Sequence, residues 1–328
     1  MRALVIDSHG GPEALRLADI PAPTPGPGQA LVQVAYAGLN PADWKTCEGH
    51  LARYITYQFP FVPGFDLAGV VVAVGPGVHN LAPGARVFGS STQGQGGNGS
   101  YAEFTLAYEA MLARAPENIT LADAAGLTTA GTTAYGSIID VGGLKAGQSV
   151  LINGGAGGVG TLGIQIARNA GARVAVTCSP RNADYVKSLG AELAIDYRDG
   201  RVVDHARAWA PDGVDLVVDA VGLDSLVADA TKIVRPGGAY VEIQTLFEES
   251  SDALKSEAAR AGVRIASNMA AIARLPQHLE RLADLVAKGE VTPPPTEIAP
   301  LEAAGEALAR IKAGHVRGKI VLQVADLH

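Results

Sequence analysis

One stretch constrains this chain more than any other. Val150-Leu151-Ile152-Asn153 runs straight into Gly154-Gly155-Ala156-Gly157-Gly158-Val159-Gly160, and Leu162, Ile164, Ile166 and Ala167 follow at helical spacing. A short apolar run, a glycine turn and an amphipathic pattern read as a buried strand, a tight loop and a helix. Gly155, Gly157 and Gly160 satisfy G-x-G-x-x-G, whose glycines serve a tight turn, close approach of the backbone to a pyrophosphate, and close packing of helix on strand. A helix beginning near Gly158 or Val159 would turn its unpaired N–H groups and positive dipole end toward such an anion. Glycines also serve ordinary turns, so the motif by itself leaves both readings open.

Its surroundings favour the ligand. Further apolar runs recur at Arg173 to Thr177, Leu193 to Ile195, Val214 to Val218 and Ala239 to Ile243, with helical segments between them and another strand around Val263 to Ala266. Such alternation predicts a doubly wound parallel sheet of six strands, because parallel strands need helical crossovers and lie buried on both faces. Gly155, Ala156, Gly157, Gly158 and Val159 are then the expected dinucleotide contacts, with Val221 and, after the next strand, Gln244 and Thr245 at the C-terminal sheet edge where ligands of such sheets bind.

At 328 residues the chain is long enough for two cores. Residues 1 to about 120 read as short strands: Ala30 to Ala37, Leu67 to Val74, Arg86 to Phe88 and Ala102 to Leu106, separated by turns such as the Pro21 to Gly28 run and Pro83-Gly84. The glycine-rich Ser90 to Ser100 reads as a surface loop. Leu121 to Gly126 and Ala130 to Ile139 read as helices leading into the glycine-loop strand. After Pro276 to Lys288 (helix) and Pro293-Pro294-Pro295, Leu301 to Ile311 reads as a helix and Lys319 to Val324 as a closing strand. The expected division is one β-rich domain from 1–121 and 267–328, and a nucleotide domain from 122–266.

A net charge of -7 without a Lys/Arg cluster argues against nucleic acid or an anionic membrane as partner. Two distant cysteines, Cys47 and Cys178, make neither a disulfide framework nor a metal pair, and the cytoplasm is the expected location.

The ordered motifs Asn40-Pro41-Ala42-Asp43-Trp44-Lys45, Pro63 to Val71, the glycine loop, Val217-Val218-Asp219-Ala220-Val221-Gly222 and Gly318-Lys319-Ile320-Val321-Leu322 resemble the medium-chain dehydrogenase/reductase superfamily along the whole chain. Within it they resemble the zinc-free quinone oxidoreductases, the zeta-crystallin-like branch. The resemblance implies a GroES-like catalytic domain, a Rossmann domain, a cofactor in the cleft between them, and a homodimer. Where the zinc enzymes of this superfamily carry a cysteine and a Gly-His-Glu triplet, this chain has Asn40 and Gly64-Phe65-Asp66, and no four-cysteine loop is present. Its seven histidines show no ligand spacing, so no metal is expected.

NADP(H) is the expected cofactor. The strand after the loop ends Thr177-Cys178-Ser179-Pro180-Arg181-Asn182, with no carboxylate before Asp184 to bond a ribose 2′-OH. A hydroxyl and a guanidinium suit a 2′-phosphate instead. In similar quinone reductases a Ser/Thr, a Lys and a Tyr hold it, which map onto Ser179, Asn182 and Tyr197; Asn182 departs from the lysine, and Arg181 could supply the charge.

The resemblance also places Asn40 as the leading polar contact at the reactive end, with Asp43 either beside it or capping a helix. Tyr54 and Tyr57 are candidate proton donors, or else packing residues. Thr129 and Thr133 resemble threonines beside the nicotinamide, and Lys319 either reaches the cofactor or pairs with an acid. Without a Lewis acid, acceptors that take hydride readily fit best: quinones or α,β-unsaturated carbonyls. The alternatives are an enoyl-thioester reductase of polyketide type and a non-catalytic NADPH-binding protein of crystallin type.

Overall fold

The computed structural model describes every residue except Gly96, 223–225, 244–249, His315 and His328. Fifteen strands form among the described residues: β1 (Arg2–Val5), β2 (Arg16–Asp19), β3 (Gln29–Gly38), β4 (Asp66–Val74), β5 (Arg86–Ser90), β6 (Phe104–Tyr108), β7 (Leu112–Arg114), β8 (Ser149–Asn153), β9 (Arg173–Cys178), β10 (Leu193–Asp196), β11 (Val214–Asp219), β12 (Val234–Glu242), β13 (Arg264–Ser267), β14 (Thr296–Pro300) and β15 (Lys319–Gln323). Two compact units result. The first comprises Met1–Ala130, Leu279–Gly289 and Pro293–His328, the second Gly131–His278 and Glu290–Thr292.

In the first unit a mixed sheet runs β14-β15-β3-β4-β5-β7, with β6 also paired to β3 and a separate β1-β2 ribbon. All its pairings are antiparallel except β14 with β15. Val34, Leu39, Tyr101, Leu308 and Ile320 meet in one core, so the C-terminal helix Ala304–Lys312 and β15 are part of the packing of the N-terminal strands. The short helix α1 (Pro41–Cys47) starts directly after β3, where Pro41 stands at the helix start and its missing N–H costs nothing.

The second unit is the α/β half predicted from the glycine loop. Its six strands run β10-β9-β8-β11-β12-β13, all parallel. Chain order reverses beside β8, so the strand that carries the glycines stands at the switch point where such sheets open a crevice for ligands. Val150, Leu151, Ile152, Val217 and Val218 are at most 1% exposed, as strands covered on both faces must be.

The structure departs from the sequence reading at several places. Strand β12 begins at Val234, five residues before the expected Ala239, because Val234 already pairs with Val214 and Arg235-Pro236-Gly237-Gly238 are taken up as an irregularity in that pairing, with Gly237 at φ +84°. Strand β14 follows the triple proline, which in the sequence marks only a helix stop. The helix expected over Ala130 to Ile139 is α3 (Thr128–Tyr135), the third helix after α2 (Leu121–Ala125), and it continues as a π-helical turn, Gly136–Val141. The expected surface loop after Ser90 starts inside the protein, with Ser91, Thr92 and Gln93 all at most 3% exposed.

Candidate functional site

In the second unit, helix α4 (Gly158–Asn169) starts at the switch point with Gly157 as its N-cap. The glycines divide their work differently from the expectation. Gly154, with φ +88°, makes the turn, while Gly155 is required by packing, since a Cβ there would lie 2.6 Å from Val176 Cβ. A Cβ at Gly160 would meet Gly154 O at 2.3 Å, which is the close helix-to-strand contact. At Gly157 a Cβ would find only Gly154 O, at 3.7 Å. The fold itself therefore makes no steric demand for glycine at 157, and the open space before the first α4 N–H groups is what a pyrophosphate would use. The loop fits a dinucleotide on these grounds.

Strand register sets the rest of this half. Asp196 of β10 pairs with Cys178 of β9, so Tyr197 and Ser179 emerge side by side one residue beyond. Ser179 is half-buried and Tyr197 is 47% exposed. Asn182 is buried, and its Nδ2 donates to Ser179 Oγ at 3.2 Å, while Arg181 is exposed. Next to Tyr197, Arg198 is engaged by Asp196 through two bonds of 2.9 Å, and its guanidinium holds the Asp196 carboxyl below its ordinary range. Val221 is 53% exposed beside the glycine turn, its Cγ2 3.0 Å from where a Gly154 Cβ would be. Gln244 and Thr245 lie outside the described residues. Thr133, on α3, is half-buried in this unit, while Thr129 on the same helix falls in the first.

The first unit brings Asn40, Asp43, Thr129 and Lys319 together around a residue the sequence reading did not single out, Asp66. Asn40 Nδ2 donates to Asp66 Oδ2 at 2.9 Å, the Thr129 hydroxyl donates to Asp66 Oδ1 at 2.5 Å, and Thr129 N–H donates to Oδ2 at 3.1 Å. Lys319 Nζ donates to Asn40 Oδ1 and to Leu39 O, both at 2.5 Å. Asp43, at the third position of α1, accepts from Asn40 N at 2.7 Å and from Phe65 N at 3.2 Å. Asn40, Asp43, Asp66 and Lys319 are each at most 5% exposed.

Burial drives every charge here toward neutrality. The Asp43 carboxyl is pushed up to about 7, first by burial and then by the Asp66 charge, against hydrogen bonds from Asn40 and Phe65 and the Lys319 charge. Burial also raises Asp66 against Lys319 and its hydrogen bonds, and lowers Lys319 against both carboxylates.

Asn40, the expected leading polar contact, has both ends of its amide engaged inside the unit, Nδ2 with Asp66 and Oδ1 with Lys319. Lys319 Nζ bonds Asn40 Oδ1 and Leu39 O, and the charges of Asp66 and Asp43 act on it. Of the tyrosines, Tyr57 donates its hydroxyl proton to Thr46 O at 2.9 Å, its ring packed on His9, Phe59 and Phe61, and burial pushes its phenol up to about 12. Tyr54 is 51% exposed and is not a hydrogen-bond partner of the cluster.

Zinc does not fit this arrangement. Phe65 offers no ligand atom, and Lys319 already takes Asn40 Oδ1 while its charge acts on both carboxyls. Among the described residues no group of three or more His, Cys, Asp and Glu side chains is placed to hold a metal ion, and no helix is long and apolar enough to cross a membrane.

The chain is similar to known proteins along its length. The alcohol dehydrogenase GroES-like domain family matches residues 26–117, and the zinc-binding dehydrogenase family matches residues 189–322. The chain is 34% identical to a chloroplastic NADPH-dependent alkenal/one oxidoreductase of Arabidopsis thaliana, across 98% of this chain and 79% of that protein. It is 31% identical to a chloroplast envelope quinone oxidoreductase homolog of the same plant, across 98% of each. The quinone oxidoreductase from Coxiella burnetii superposes with a TM-score of 0.87 at 31% identity, covering 99% of both chains.

Proposed function

The chain is an oxidoreductase of the medium-chain dehydrogenase/reductase family, in its quinone oxidoreductase branch, and from that premise we propose that it reduces quinones or α,β-unsaturated carbonyls with NADPH and without a metal. The observation that carries the reading is the buried contact between Asn40 and Asp66, the two residues that the resemblance sets where the superfamily's zinc enzymes carry ligand motifs: Asn40 Nδ2 donates to Asp66 and Lys319 Nζ takes Asn40 Oδ1.

The glycine loop and the start of α4 would hold the pyrophosphate, and Ser179, Arg181 and Tyr197 the adenosine 2′-phosphate, with Asn182 fixing the Ser179 hydroxyl. When bound, the reduced nicotinamide supplies the hydride. An enone accepts it at the β-carbon, and the electron pair moves to the carbonyl oxygen until a proton is added at the α-carbon. Tyr54 is the tyrosine whose exposure lets it meet a substrate; Tyr57 anchors the wall behind it through Thr46. Asn40 and Asp43 position the turn into α1.

The test is consumption of NADPH against a panel of a 1,4-quinone, a small enone, an enoyl thioester and a saturated alcohol, with NADH as control. The reading expects turnover with the quinone or the enone, none with the alcohol, and a preference for NADPH of at least about tenfold in kcat/KM. Equal use of NADH would overturn the cofactor assignment. Turnover of the thioester alone would replace the substrate class, and binding of NADPH without any turnover would favour the non-catalytic alternative.

A further inference from the structure

The dinucleotide loop rests on a buried chain of hydrogen bonds that joins the ends of four strands. Tyr240 of β12 donates its hydroxyl to Asp219 Oδ2 at 2.5 Å, Asn153 Nδ2 donates to Asp219 Oδ1 at 2.8 Å, the Thr177 hydroxyl donates to Asn153 Oδ1 at 2.5 Å, and Gly154 N–H donates to the Thr177 oxygen at 3.0 Å. All four side chains are at most 4% exposed. Their chemistry fixes the direction of the chain. An ionised carboxylate only accepts, so Asn153 must turn its NH2 to Asp219 and its oxygen to Thr177. Thr177 must then donate to that oxygen, which leaves its lone pairs for the Gly154 N–H.

The same carboxylate also fixes the other side of the loop. Val221 N and Gly222 N donate to Asp219 Oδ1 at 3.0 and 3.3 Å, and the Val221 side chain borders Gly154. We propose that Asp219 is the positioning residue of the dinucleotide loop, acting on Gly154 through Asn153 and Thr177 and on Val221 directly. This rests on the reading of the glycine loop as the dinucleotide site. A role confined to core stability would end on core groups, whereas this chain ends on a backbone N–H of the loop itself.

The test uses Thr177→Val, which keeps the shape and removes the hydroxyl, and Thr177→Ser, which restores it. Affinities for NADPH and for NADH are measured by calorimetric titration without an acceptor, together with the thermal midpoint of each variant. Thr177→Val is expected to weaken both dinucleotides by at least about tenfold, with Thr177→Ser within about twofold of the native chain and Tyr240→Phe, which removes only the far donor, near threefold, or about 0.7 kcal/mol. Because the loop serves the pyrophosphate common to both dinucleotides, the ratio of the two affinities stays unchanged. If Thr177→Val does not fold, Tyr240→Phe and Asp219→Asn carry the same readout. Unaltered affinity in the variants that fold, whatever their thermal midpoints, overturns the positioning role while leaving the function standing. A native chain that binds neither dinucleotide would instead refute the loop assignment and this inference with it.

Discussion

The two units each bury a polar network beneath their candidate site, and the networks work by opposite means. In the first unit two carboxyls and a lysine, Asp43, Asp66 and Lys319, act on one another's ionisation, and Asn40 is bonded to all three. In the second a carboxylate, Asp219, is surrounded by hydrogen bonds from an amide, a phenol and two backbone N–H groups. A network of titrating groups depends on each partner's ionisation, so it responds to pH and fails abruptly when one charge is removed. A network of neutral donors depends on direction and shape, and its failure should show in the geometry it holds rather than in global stability.

Removing a charge should produce the largest effect. Lys319→Met leaves the two buried carboxyls without their cation and should cost about 3–5 kcal/mol in denaturant unfolding. The double variant Asp66→Asn with Lys319→Met should recover more than half of that loss, and a double variant no more stable than the single one would show that the lysine matters for packing alone.

The pH response is next. Asp43 ionises near 3.9 in an unfolded chain, as an ordinary aspartate does at about that value, and near about 7 in the folded one. A carboxyl whose folded value is raised favours folding fully at low pH, and that contribution is lost as pH rises through the folded value. Stability attributable to Asp43 should therefore fall between roughly pH 4 and 7, by at most about 1.4 kcal/mol per pH unit, and level off above. Asp43→Asn should flatten that slope; an unchanged slope would place the titration elsewhere. A smaller effect is expected for Tyr57→Phe, which belongs to neither network: a loss of about 0.5–1.5 kcal/mol for its bond to Thr46 O, with NADPH affinity unaltered by the same titration.

How much of this could be read beforehand differs between the same two regions. The second unit's sheet follows from local patterns: apolar runs such as Val150-Leu151-Ile152 and Val217-Val218 can only be buried strands, and the glycine loop marks the switch point. Even its missed residues left a signal, for Asn153, Thr177 and Asp219 are each the polar terminus of an apolar run, and parallel register brings such termini to one level. In the first unit Asp66 and Lys319 also stand at the ends of apolar runs, but antiparallel pairing does not by itself bring such ends to one level. Asn40, Asp66 and Lys319 are far apart in the chain, and only the pairing of β15 with β3 and β3 with β4 brings them together. Sequence position shows the turn in which Asn40 sits, but not that Lys319 and Asp66 engage both ends of its amide. Strand β14, hidden behind Pro293-Pro294-Pro295, was lost for a similar reason, since its partner β15 comes later in the chain.

The central claim, that the chain uses a nicotinamide dinucleotide held at the start of α4, is tested most directly by titrating NADPH into the native chain and into Gly157→Ala. The fold leaves room for that methyl group, with its nearest neighbour at 3.7 Å, whereas a pyrophosphate bound against the loop would compete for the same space. The account predicts a thermal midpoint close to the native value and an affinity for NADPH reduced by at least about tenfold; native affinity in Gly157→Ala would contradict it.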